Sequence, residues 1–155
     1  MKAFRNILKS DRIYSPDEIE NVLTMIVPHL TTVRANKDVQ YYDAPCSFDI
    51  ETSSFRSTGN NEKVAIMYEW TLGLYGEVII GRTWDEFVKV LTTVADTLRT
   101  NKKTRLIIYV HNLAYEFQFM RKWFGWDKVF AVDTRRPVYA ITTTGIEFRC
   151  SYILS

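Results

Sequence analysis

The stretch "RLIIYVHN" (Arg105 to Asn112) constrains this chain most. A continuous apolar run of that kind is typical of a central strand buried on both faces, which needs covering layers above and below it. It feeds without a break into "LAYEFQFMRKWFG", where Leu113, Phe117, Met120 and Phe124 fall at i, i+4, i+7 and i+11 and Gly125 suits a C-terminal cap. A buried strand running straight into an amphipathic helix predicts an α/β domain.

The flanking segments extend that pattern. In "YSPDEIENVLTMIVP", Ser15 can cap a helix, Pro16 fits its first turn, and Asp17 and Glu18 oppose the positive end of its dipole. Ile19, Val22, Leu23 and Ile26 form its apolar stripe, and Pro28 stops it. "TTVRANKDVQYYDAP" reads as a polar connector. "CSFDIETSSF" reads as a strand, and "VAIMYEWTLGLYG" with "EVIIGR" as a hairpin joined near Gly76. "TWDE" is a capping box opening a helix with Phe87, Val90, Leu91, Val94 and Leu98 on one face. "KVFAVD" and "VYAITTTGIEFRCSYIL" predict further strands, the latter a hairpin turning at Thr144–Gly145. The order of elements predicts a mixed central sheet flanked by helices in one compact unit, with residues 1–43 as an N-terminal helix and connector and residues 44–155 as the main domain.

Composition adds bounds. A chain of 155 residues, 46% hydrophobic and 25% charged, is ordinary for one soluble domain and large enough to fold without a disulfide. Cys46 and Cys150 make no disulfide framework and read as packed, reduced thiols of a cytosolic protein. "MKAFRNILKSDR" lacks the apolar core of a signal peptide and no run is long enough to span a membrane, so a cytoplasmic location is expected. The net charge of +2 does not by itself announce a nucleic-acid binder, and the basic groups in "RTNKKTR", at Arg121–Lys122 and at Arg135–Arg136 read as solvated loop charges.

The chemistry lies elsewhere. On a strand, Asp49 and Glu51 share one face while Phe48 and Ile50 enter the opposite layer. Partly buried, unpaired carboxylates are costly, and hard divalent cations are a common remedy. Glu116 stands one turn into the helix after the buried strand, where the strand ends of an open sheet converge on a crevice. Asp49, Glu51 and Glu116 thus have the makings of a two-metal site for phosphodiester cleavage, with His111, Asn112, Tyr115 and Phe119 supplying hydrogen-bonding and stacking groups.

These residues carry a resemblance. "FDIETSSF" resembles the first exonuclease motif of family B DNA polymerases, an apolar strand with Asp-x-Glu followed by hydroxylic residues. "YVHNLAYEFQFM" closely resembles the second motif of the protein-primed, phage phi29-like branch, and "GIEFRCSYILS" is similar to the strand that follows. The resemblance covers the chain from about residue 44 onward. It implies a ribonuclease-H-like (DnaQ-like) 3′–5′ exonuclease domain that binds Mg²⁺ or Mn²⁺ and removes nucleotides from a single-stranded DNA 3′ end. Asp49, Glu51 and Glu116 would be the catalytic, metal-binding carboxylates, and Thr52, His111, Asn112, Tyr115 and Phe119 would contact the DNA. Two departures are visible: the second motif's acid is Glu116 where the family has Asp, and no Tyr-x-x-x-Asp third motif occurs before Ser155. The chain therefore reads as the front part of such a domain without its last helix, weak as an isolated nuclease and completed by the remaining polymerase chain, another protein or a second copy. The alternative reading is a shortened relative that binds nucleic acid or protein without cutting.

Overall fold

The computed structural model describes residues 13–133 and 137–151; Arg135–Arg136, the N-terminal stretch and the last four residues lie outside them. The helix α1 (Ile19–Ile26) forms where its punctuation predicts, flanked by short 3₁₀ turns, and the Glu18 carboxylate accepts from the Ser15 N–H at 3.2 Å. Ile19, Val22, Leu23 and Ile26 are all buried. The segment predicted as a polar connector instead holds two short strands, β1 (Thr32–Arg34) and β2 (Gln40–Tyr42). Their side chains are polar or half-exposed, so no alternation betrays them; backbone pairing alone makes them strands.

Three longer strands follow: β3 (Cys46–Arg56), β4 (Lys63–Leu74) and β5 (Glu77–Gly81). The β4–β5 turn uses positive φ at Tyr75 (49°) and Gly76 (87°), the backbone that matches strand twist in tight hairpins. Helix α2 (Trp84–Leu98) starts at a reciprocal cap: Thr83 Oγ1 accepts from the Glu86 N–H at 3.2 Å, and Glu86 accepts from the Thr83 N–H at 2.9 Å. Its predicted stripe is buried, with Ala95 in addition. Then come β6 (Thr104–Val110), α3 (Leu113–Met120), β7 (Trp126–Ala131), β8 (Pro137–Thr142) and β9 (Ile146–Cys150).

The strands form one mixed sheet in the order β5-β4-β3-β6-β9-β8-β7, with β2 beside β6 and β1 beside β2. From β5 through β3 the pairing is antiparallel; β6 is parallel to β3, and β9 is parallel to β6. The fold is therefore α/β with a mixed sheet, as its element order predicts. The main core packs α1 and α2 against β3, β4, β5, β6 and β9 around Phe87, which stacks on Phe48 at 4.2 Å and meets Trp70 at 5.1 Å.

Two expectations need correcting. Strand β6 buries Leu106, Ile108 and Val110 on one face, but Tyr109 is 41% exposed, so the strand is central without being covered on both sides. Gly125 does not cap α3, which ends at Met120; the Gly125 carbonyl instead accepts from the Thr143 N–H at 2.9 Å and ties that turn to the β8–β9 hairpin. Cys46 and Cys150 are buried and unpaired, as expected, and burial pushes the Cys46 thiol up to about 12. No helix among the described residues is long and apolar enough to cross a membrane.

Candidate active site

Strands β3 and β6 are parallel, with Phe48 opposite Val110, so both point their carboxyl ends the same way. Asp49 follows directly on β3, and α3 begins three residues beyond the end of β6. The topology thus brings Asp49, Glu51 and the first turn of α3 to one end of the sheet, the crevice outside the strands' carboxyl ends where open α/β sheets bind ligands.

The alternation predicted for β3 holds: Phe48 and Ile50 are buried, while Asp49 and Glu51 face the other way. Both acids are exposed, however, and the buried carboxylate of the set is Glu116, at 4% exposure. Glu116 lies three residues after Leu113 and four before Met120, both fully buried, so helical geometry turns it inward with them. There it meets the Asp49 carboxyl and the Ile50 amide. Its acidity follows. Burial, then the hydrogen bond to Asp49, then the charges of Asp49 and Glu51, push Glu116 up to about 9, with the Ile50 amide opposing. The upward shift favours the neutral acid on Glu116, and its buried Oε2 has no hydrogen-bond partner.

Two touching carboxylates need a proton or a cation between them. An all-oxygen donor set with one orphaned buried oxygen fits a hard divalent cation such as Mg²⁺ or Mn²⁺. Among the described residues no three His, Cys, Asp or Glu side chains are already drawn together as ligands.

The aromatic and hydroxylic residues gather beside the acids. Thr52 and Tyr115 join β3 to α3 through a hydroxyl–hydroxyl hydrogen bond of 2.7 Å. The Tyr115 ring meets Phe119 edge-on at 5.2 Å; Tyr115 is 40% exposed, whereas Phe119 is half-buried against the core. Asn112 caps α3, its side chain accepting from the Tyr115 N–H at 3.4 Å. His111 is exposed at the end of β6, and its carbonyl accepts from the Cys150 thiol at 3.6 Å. The structure therefore brings Asp49, Glu116, Thr52, Tyr115 and Phe119 together through β3–α3 contacts, with Glu51 near enough for its charge to act on Glu116. Lys102 pairs with Asp127 at 3.1 Å and is 70% exposed, in keeping with a solvated basic loop, but Arg105 of the same stretch lies within β6 and pairs with the buried Glu147 at 3.1 Å, so it is not a solvated loop charge.

One acid escapes sequence reading. Glu51 pairs with Glu69 of β4, but Thr52 pairs with Met67, so Tyr68 is an extra residue bulged out of register. Met67 and Trp70 are both buried, and the two residues between them, exposed Tyr68 and half-buried Glu69, both face away from the core. The trace of this in the sequence is the three-residue spacing of Met67 and Trp70 within an otherwise alternating strand.

No protein-family model, curated protein or solved structure matches the chain. The class of protein therefore rests on the sheet and its acids.

Proposed function

We propose that this chain is the N-terminal exonuclease portion of a protein-primed, phage-type DNA polymerase, with a ribonuclease-H-like fold and a metal-dependent site for removing nucleotides from single-stranded DNA 3′ ends. The observation that carries the reading is Glu116: a buried carboxyl from α3 set against Asp49, with one oxygen unpartnered. Three antiparallel strands followed by β6 and β9 parallel to the first, with α2 in one crossover and α3 and the β7–β8 hairpin in the other, also support this reading.

Asp49, Glu51 and Glu116 would hold the Mg²⁺ or Mn²⁺ ions, which when bound stabilise charge on the oxygens around phosphorus. The chain's own groups do the rest. Glu116 would serve as an anionic ligand in its deprotonated form. Thr52 and Tyr115 are locked to each other across the crevice, so a 3′-terminal nucleotide meets a positioned hydroxyl pair and the Tyr115–Phe119 ring pair. Asn112 fixes the first turn of α3, and with it the inward aim of Glu116. His111, exposed beside that turn, would contact the strand's backbone. Such a protein works in the cytoplasm, a host's where the gene is a phage's.

The test is a 5′-labelled single-stranded oligonucleotide incubated with the protein and Mn²⁺ or Mg²⁺. Ladders shortened from the 3′ end that vanish in Asp49→Ala and Glu51→Ala are expected. Cleavage that persists in both variants, or no shortening at any metal concentration, would overturn the nuclease reading; binding without shortening would leave a non-cutting relative.

A further inference from the structure

The carboxylate count of the site does not end at Glu116. Directly opposed residues of an antiparallel pair have Cβ atoms about 4.5–5.5 Å apart and point to the same face. Glu51 and Glu69 are such a pair, and that face carries Asp49 as well. Like charges in this register are unfavourable. Among the described residues no lysine or arginine pairs with either acid. The bulge at Tyr68 sits immediately beside the pair, and it is what keeps Glu69 off the core side of β4, since unbroken alternation after Met67 would turn residue 69 inward.

Acids on a sheet face are commonly just solvated. A second observation separates this group from that case: Glu116, 4% exposed, meets the Asp49 carboxyl from α3, lies within reach of the Glu51 charge and leaves its Oε2 without a partner. Glu116 thus adds a buried carboxyl with an unpartnered oxygen beside Asp49, and the other three acids lie on two adjacent strands.

Resting on the carboxylate-site reading above, we infer that Glu69 is a further cation ligand of this site, supplying through the β4 bulge a fourth carboxylate beside Asp49, Glu51 and Glu116. Recruiting the ligand from the neighbouring strand needs no additional helix.

The test measures binding of Mn²⁺ alone, by titration calorimetry and by the metal-induced rise in melting temperature, for the wild type, Glu69→Gln, Glu69→Asp and Asp49→Asn. Glutamine keeps the shape of residue 69 and removes one of two opposed charges, so metal-free Glu69→Gln should melt at or above the wild type. Its Mn²⁺ affinity should nevertheless fall about tenfold or more, with partial recovery in Glu69→Asp. A residue that only stabilised the strand would move both readouts downward together. Wild-type affinity in Glu69→Gln, with binding lost in Asp49→Asn, overturns the role of Glu69 and leaves the rest of the site intact. Absence of Mn²⁺ binding in the wild type, or binding unchanged in Asp49→Asn, overturns the carboxylate site and Glu69's part in it. If Glu69→Gln does not fold, Glu69→Asp decides on the same readouts.

Discussion

Replacing Glu116 with glutamine keeps the volume and both polar positions of the side chain but removes the need for a proton. The wild-type acid is raised from 4.5 to about 9 in the folded protein. Between those values the native state holds a proton that the unfolded chain has released, so its stability contribution is complete below pH 4.5 and is lost as pH rises toward 9. Each pH unit in that window removes about 1.4 kcal/mol. At pH 7.5 the distance from 4.5 is 3.0 units, which amounts to a penalty of up to about 4 kcal/mol that glutamine does not carry. The glutamine amide can donate to Asp49 as the protonated acid does. At about 2–4 °C per kcal/mol for a chain of this size, Glu116→Gln should melt about 10 °C higher than the wild type at pH 7.5. The difference should shrink below about 1 kcal/mol near pH 5. Thermal melts of both proteins by circular dichroism, without divalent metal, over pH 5 to 8.5 give the difference curve. A constant offset across that range, or a variant less stable at pH 8, would refute the upward shift of Glu116 beside Asp49. Added Mn²⁺ should act in the opposite sense, raising the wild type's melting temperature more as pH rises, because the ion takes the place of the proton.

Other substitutions probe the rest of the molecule. Tyr115→Phe deletes the 2.7 Å hydroxyl bond to Thr52; a stability loss of about 0.5 kcal/mol is expected, together with a severalfold rise in KM for a single-stranded oligonucleotide and little change in kcat. Glu147, 2% exposed, pairs with Arg105 at 3.1 Å and with Arg149, so Glu147→Ala strands two arginines and should cost about 3–5 kcal/mol, read as a lower urea midpoint at unchanged slope. Gly145 has φ +88°, and a Cβ there would meet the Asn101 backbone nitrogen at 2.5 Å; Gly145→Ala should lower stability by at least about 1 kcal/mol in the same assay.

How much of this was legible in the sequence depends on where each residue's environment comes from. The stripes of α1 and α2 and the Asp49–Glu51 face follow from the periodicity of a single element, and periodicity is local. Glu116 was half legible: its spacing from Leu113 and Met120 places it on the apolar side of α3, but only the arrival of β3 against that side makes it touch Asp49. Strands β1 and β2 were not legible, since β2 gains its identity from two residue pairings with β6, formed 64 positions away in sequence. The exposure of Tyr109 was hidden for a related reason: "LIIYV" is equally apolar on both faces, and only the helices' positions decide which face is covered. Glu69 was hidden by the bulge, a register shift that a strand's own pattern marks faintly.

The acids that sequence reading found and the one it missed answer to the same physics. A chain selected only to fold has no reason to bury a carboxyl against another carboxyl, or to oppose two glutamates across a ladder and spend a bulge on keeping them outward. Both arrangements lie in the middle of β3, just past its pairing with β6, and both are relieved by positive charge placed between the acids. Local rules broken together on one face of a sheet are what the proposed site would leave in the fold. The two glutamine substitutions therefore share one signature. Glu116→Gln and Glu69→Gln should each raise the stability of the metal-free protein and weaken its binding of Mn²⁺, and scattered surface acids have no common reason to do both.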